Sequence, residues 1–181
     1  MRDRSIVGGW LVSVARAVGC VFVASALTGC SAPKYTVTVS LSDELANSAE
    51  IGTIEIDLVS GSEAATRQLE DTPVDRYFDP AEGLRGRSDK KTFVFTRSNT
   101  EAMVVDRSDP IWDTWNGALA TDVVAMLNVT WFRADGSGND PRRLMISLGS
   151  EEYASRDFEI EISRERGLRD VSERRPPGRG R

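Results

Sequence analysis

The sequence predicts an all-β protein, an antiparallel β-sandwich carrying a short helical insertion. Three observations lead there. Short segments in which apolar and polar residues alternate recur at close spacing between residues 35 and 163. The helical signals are few and brief, with no strand–helix–strand rhythm of the kind that builds parallel sheets. One segment, residues 122–132, is apolar enough to be a central strand. No internal repeat is visible.

The chain opens on a segment that does not belong to the sandwich. Arg2, Arg4 and Arg16 give a positive leader, and Ala17 to Leu27 is an uncharged, largely apolar run of eleven residues. That length suits the core of a signal peptide and is too short to span a bilayer, which takes about 20 residues. The run ends in Leu27-Thr28-Gly29-Cys30, followed by Ser31-Ala32-Pro33-Lys34. This resembles the lipobox of bacterial lipoproteins. The resemblance implies that residues 1–29 are a signal peptide, that cleavage precedes Cys30, that Cys30 is acylated, and that residues 30–34 are a tether. One acyl chain holds a protein weakly and two or more hold it stably. In Gram-negative lipoproteins Ser31, which is not Asp, further implies passage to the periplasmic face of the outer membrane.

Tyr35, Val37, Val39 and Leu41 alternate with Thr and Ser, the pattern of a half-buried strand. Residues 43–48 form a polar connection or one helical turn. Ile54, Ile56 and Leu58 mark a second strand over about 51–59. Ser62 is placed to cap a helix over 63–70. Thr72 is placed to cap another, with Pro73 at its first position and Asp75 at its positive end. Val74, Tyr77 and Phe78 then share one face, Asp79-Pro80 ends the helix, and Gly83 and Gly86 predict a loop. Strands follow at 92–96 and 102–105, around a turn at Ser98-Asn99. Asp109-Pro110 predicts a helical turn over 111–115 closed at Asn116-Gly117. The apolar stretch 122–132 predicts the central strand, buried on both faces in its first half. A turn at 135–141 leads to a strand at 142–148, and Phe158, Ile160 and Ile162 mark the last. The sandwich thus spans 35–163. Residues 164–181 carry seven Arg against three acids, with Pro176-Pro177 and a Gly-Arg ending. They are expected to form a disordered basic tail.

Loss of the leader leaves 152 residues, enough for one domain with a core. It removes three basic residues and one acid, so 20 basic and 27 acidic side chains remain, a net charge of −7. The tail contributes +4, leaving −11 on the body. Cys20 departs with the leader and Cys30 is the acylation site, so the mature domain has no disulfide to form. Histidine is absent from the whole sequence, which excludes histidine-based triads and most zinc sites.

The remaining chemistry is thin. Asp135, Ser137, Asn139 and Asp140 are oxygen-rich and Gly-spaced but lack the calcium-loop pattern and its distal Glu, so a hairpin loop accounts for them. Pairs such as Glu63/Glu70 or Asp75/Asp79 are what a chain rich in acids produces by chance. Ser62 and Thr72 have no base, and Lys90-Lys91 reads as a charged strand entry. No catalytic residue, metal or cofactor is assigned, and nucleic acid is not an expected partner of an envelope protein. Trp112 and Trp115 lie three residues apart on one helical face. They offer either an aromatic contact for a partner or a plug closing one end of the core. Tyr77 and Phe78 pose the same choice. The basic tail could meet an anionic surface or serve only solubility.

The order of these elements resembles the outer-membrane lipoproteins of type VI secretion systems. The resemblance rests on the lipobox tether running into a first strand and on the second strand Ile54 to Leu58 with a helical excursion after it. The late apolar strand Val123 to Phe132, followed by Arg133, and the strands 144–148 and 158–162 complete it. The family's Asn-Pro-Asp stretch before the second strand is absent; Asn47-Ser48-Ala49 stands there, and the Arg-rich tail is extra. The resemblance implies a transthyretin-like sandwich and a non-enzymatic adaptor that docks through an exposed loop onto the periplasmic domain of an inner-membrane protein. A lipid-anchored module binding a glycan or small ligand, with Trp112 and Trp115 as its platform, is the alternative.

Overall fold

The computed structural model describes residues 33–49, 51–132 and 140–175. Cys30 and the whole leader lie outside them, as do Asp135, Ser137 and Asn139. Eight strands form two four-stranded sheets. The first runs in the order β4 (Met103–Val105), β1 (Thr36–Leu41), β7 (Asp157–Ser163), β8 (Gly167–Asp170). The second runs in the order β3 (Lys90–Phe95), β2 (Ile54–Ser60), β5 (Asp122–Asn128), β6 (Arg143–Ser147). The chain changes sheet between β1 and β2, β3 and β4, β4 and β5, and β6 and β7, so the fold is an all-β sandwich.

Alternation fixes which side chains meet between the sheets. Val37, Val39 and Leu41 of β1 and Phe158, Ile160 and Ile162 of β7 point inward from the first sheet. Ile54, Ile56 and Leu58 of β2 with Val123, Ala125 and Leu127 of β5 answer them from the second. The central strands β2 and β5 are buried on their other face as well. There Val59, Val124 and Met126 meet Leu69, Val74 and Tyr77 in a second apolar cluster. The molecule is therefore layered sheet, sheet, helix. The outer layer consists of α2 (Glu63–Asp71), α3 (Val74–Phe78) and α4 (Leu84–Arg87), following the single turn of α1 (Asp43–Ala46).

Several expectations need correction. The sandwich is not wholly antiparallel: β1 pairs with β7 in parallel, Val37 opposite Phe158 and Val39 opposite Ile160. A parallel neighbour leaves no short-range signal, because its partner lies more than a hundred residues on. Thr72 does not cap α3. Its hydroxyl donates back to the carbonyl of Gln68 at the end of α2 (2.6 Å), and Pro73 occupies the cap position. Residues 84–87 are a helical turn and not a loop. The central strand stops at Asn128.

The basic tail is the largest difference. Its first part is strand β8, paired antiparallel with β7 from Ile160–Asp170 to Ser163–Gly167. Beyond it Tyr153 and Arg174 form an isolated bridge. Gly167 has φ +70°, and a Cβ there would lie 2.1 Å from the carbonyl oxygen of Pro141. Only glycine fits, and the next amide, Leu168, donates to that same oxygen (2.8 Å). Leu168 is buried in the core. Arginine content hid a strand whose apolar contribution is one leucine.

Candidate docking surfaces

The helical layer is held by three arginines. Asp57, fully buried on the outer face of β2, accepts from Tyr77 Oη (2.9 Å), Thr92 Oγ1 (2.6 Å) and Arg85 Nε (2.7 Å). Arg85 reaches Glu55 as well (2.5 Å) and stacks over the Phe78 ring at 4.9 Å. Burial, with the negative charge of Asp57 beside it, pushes the Tyr77 hydroxyl far up. Arg142 is 3 % exposed and joins Asp140 and Asp75, tying α3 to the start of β6. Its hydrogen bonds hold the Asp75 carboxyl below the usual range. The neighbouring Arg143 points elsewhere and donates to the carbonyls of Leu69 (3.3 Å) and Thr72 (3.0 Å), satisfying the C-terminal end of α2. These ionic groups are fully engaged in holding the insertion on the sheet.

The same accounting covers the groups weighed for catalysis. Glu63 pairs with Arg67 one turn along α2, and Asp79 accepts from the Ala81 amide (2.9 Å). Ser62 caps α2 through the Ala65 amide (3.4 Å). Lys90 donates to the carbonyl of Arg85 (2.8 Å) and Lys91 to Asp109 (2.5 Å). None of these pairs joins a nucleophile to a base. Among the described residues no three His, Cys, Asp or Glu gather as a metal site.

Trp112 and Trp115 share a face of α5 (Ile111–Gly117), as their spacing predicts, but that face is turned into the core and both are 0 % exposed. Their rings meet edge to face at 5.0 Å, and Trp112 also packs on Tyr35 at 5.7 Å. Each indole N–H has a backbone partner, Asp106 O for Trp112 (3.0 Å) and Asp89 O for Trp115 (3.1 Å). They are the plug of one end of the sandwich. Neither can serve as a contact for a partner or as a platform for a glycan. Tyr77 is likewise fully buried and Phe78 partly so.

The sandwich has two chemically different ends. The tether end gathers residues 33–35, α5 with the loop after it, and residues 148–156 and 171–175. Lys34 pairs with Asp113 of α5 (2.6 Å), and Arg175 donates its amide to Glu152 O (2.7 Å). Here stands the residue that sequence reasoning passed over. Leu119 is 82 % exposed and has φ +59°, the left-handed region that leucine avoids. The predicted stop at Asn116-Gly117 is displaced two residues: Ala118 is the C-cap and Leu119 takes the left-handed position usually given to glycine. The opposite end carries the connection from α1 to β2, with Asn47, Ala49, Gly52 and Thr53 exposed, and the turn at Arg97-Ser98.

No protein-family model matches the sequence, and no curated protein matches it. Solved structures do resemble the fold. A structure described as the C-terminal domain of the type VI secretion protein TssM from enteroaggregative E. coli (EAEC) superposes with a TM-score of 0.51 at 13 % identity. The match covers 76 % of this chain and 100 % of that one. A type VI membrane complex matches with a TM-score of 0.50 at 13 % identity, over 76 % of this chain and 97 % of that one. Serratia marcescens Lip, described as a membrane-bound component of the type VI secretion system, has a TM-score of 0.45 at 15 % identity, over 77 % and 98 %. At such identities the likeness is one of fold.

Proposed function

We infer that this chain is a lipid-anchored, non-enzymatic structural component of a bacterial envelope complex of the type VI secretion kind. Cys30 carries the lipid, on the periplasmic face of the outer membrane. The sandwich docks through the loops opposite the tether onto the periplasmic domain of an inner-membrane protein. The observation that carries the reading is the shortness of the tether. The first strand begins at Thr36, six residues after the cysteine that closes the apolar leader, so the sandwich follows the anchor directly and is the surface that the described residues offer a partner. The type VI assemblies named for the fold's solved neighbours support the choice of complex, and the ionic groups spent on holding helices to sheet support a role without catalysis.

Two measurements test it. Replacing Cys30 by Ala should leave an uncleaved precursor in the inner membrane, whereas normal cleavage and release would remove the lipid anchor. Crosslinking of the native protein in cells, read by mass spectrometry, should capture one inner-membrane protein with a large periplasmic domain. Capture of only abundant outer-membrane proteins, at the level of an inert lipoprotein, would remove the adaptor.

A further inference from the structure

Leu119 has no explanation within the fold. It is the most exposed large apolar residue among those described, and the others lie between 38 and 47 %. It also sits in a left-handed conformation that a residue with a Cβ disfavours. The turn that holds it is firmly built. Ala118 donates to the carbonyls of Thr114 and Trp115, Leu119 to Asn116, and Ala120 to Trp115, all between 3.0 and 3.1 Å. Beneath it the two tryptophans fix α5 in the core. The loop is thus a rigid mount that presents one leucine outward.

What lies opposite follows from chain length. Three peptide steps separate Cys30 from Pro33 in the sequence, roughly 11 Å at full stretch. Lys34 is bonded to α5, and Tyr35 packs on Trp112. A cysteine acylated in a bilayer therefore draws the α5 end of the sandwich against the headgroups. Pro33, Tyr35, Arg156 and Arg175 line one cavity of ≈ 520 Å³ at this end, so the chain enters and reaches its last described residue on the same rim. Arg156 and Arg175 are exposed there, and the sequence after Arg175 adds Arg179 and Arg181. Four acids near this end are paired in place, Asp113 with Lys34, Asp109 with Lys91, Asp157 with Arg107 and Glu152 with Arg174, while Glu151 and Glu173 are exposed there.

We propose that the tether end is a bilayer-seating face, on which Leu119 enters the boundary between headgroups and acyl chains and Arg156 and Arg175 meet the phosphates of anionic lipids. The proposal rests on acylation of Cys30. Its consequence is orientation: a protein on a lipid anchor alone would tumble about its tether, whereas a seated one points its far loops away from the membrane.

The acylated mature protein, reconstituted in phosphatidylcholine vesicles containing phosphatidylglycerol, tests this. Cys30 is blocked by its acyl chain, so one new thiol labels uniquely. At Gly117 an added Cβ has nothing within 4 Å, and Gly52 offers the same freedom at the far end. An environment-sensitive dye on Gly117→Cys should shift to the blue and be quenched several-fold by nitroxide-bearing lipids, while the dye on Gly52→Cys stays in water. Adding Leu119→Glu should return the first dye to the aqueous signal. Omitting phosphatidylglycerol, or adding Arg156→Gln and Arg175→Gln, should weaken its quenching. Acylated protein with both dyes in water, or quenching that Leu119→Glu leaves unchanged, would overturn the seating alone, and quenching indifferent both to phosphatidylglycerol and to the two arginine variants would overturn the phosphate contact. Protein without acyl mass on Cys30 would overturn the anchor, and the seating with it.

Discussion

At the scale of single residues the molecule is governed by a few side chains whose partners lie far along the chain. Asp57 reads in the sequence as one polar step of an alternating strand, and alternation assigns it to solvent. It is buried because α3 and α4 cover that face and supply Tyr77 and Arg85. Removing it leaves an arginine, a phenol and a threonine without their acceptor. Asp57→Ala is expected to cost about 3–5 kcal/mol, the usual loss on breaking a buried ion pair, read from the midpoint of urea unfolding. A variant unfolding within 1 kcal/mol of the parent would mean that the helical layer is held by its apolar cluster alone. The tryptophans were legible as a pair on one face; that the face turns inward depends on Tyr35 and on two backbone carbonyls that spacing cannot reveal. Leu119 left only a faint signal, one bulky apolar residue between two alanines after a helix stop.

At the scale of elements, strands were legible wherever one face alone is buried. In β1, β3 and β7 the period of two survives intact, and β2, though buried on both faces, still alternates in sequence from Ile54 to Leu58; each lies within two or three residues of its predicted place. The double burial of β5 was legible from its unbroken apolar run. What escaped was β8, because a strand at a sheet edge needs few apolar residues and its arginines read as tail. Gly167 makes this strand's return possible. Gly167→Ala meets both a left-handed backbone and the Pro141 carbonyl, and is expected to destabilise by about 2–3 kcal/mol. Hydrogen exchange of the Leu168 and Val171 amides should rise to the rate of open chain. Unchanged protection in that variant would mean that β8 contributes nothing to the sheet. Three of the four edges are blunted, β4 and β8 by their shortness and β3 by the entry of Lys90 and Lys91, which limits association of copies through them.

At the scale of the whole molecule, charge sets the response to pH. Without histidine no side chain has an ordinary pKa between 5 and 8, and stability should be level across that range. Asp75 is lowered chiefly by its hydrogen bond to Arg142, and Asp157 by those to Thr36 and Arg107. Groups depressed in the folded state stabilise above their unfolded values near 3.9 and lose that contribution as pH falls through the folded ones. Acid unfolding should therefore begin below about pH 4. At the other extreme burial, with a hydrogen bond to Asp170, pushes the Tyr153 phenol up to about 12. A raised group stabilises fully below its unfolded value near 10 and loses that contribution as pH rises toward the folded one. Thermal midpoints taken from pH 3 to pH 12 would trace a plateau with losses at both ends, and a slope between 5 and 8 would contradict it.

The proposed function and the proposed seating together assign one end of the sandwich to the membrane and the other to a partner, and one experiment addresses both. A photo-crosslinking amino acid would be placed at Gly52 in the far loops, and separately at Gly117 beside Leu119, in the native protein in cells. The account predicts that Gly52 captures the periplasmic domain of an inner-membrane protein and that Gly117 captures lipid and no such protein. Capture of the protein partner from Gly117, with none from Gly52, would reverse the molecule on its membrane and contradict the account.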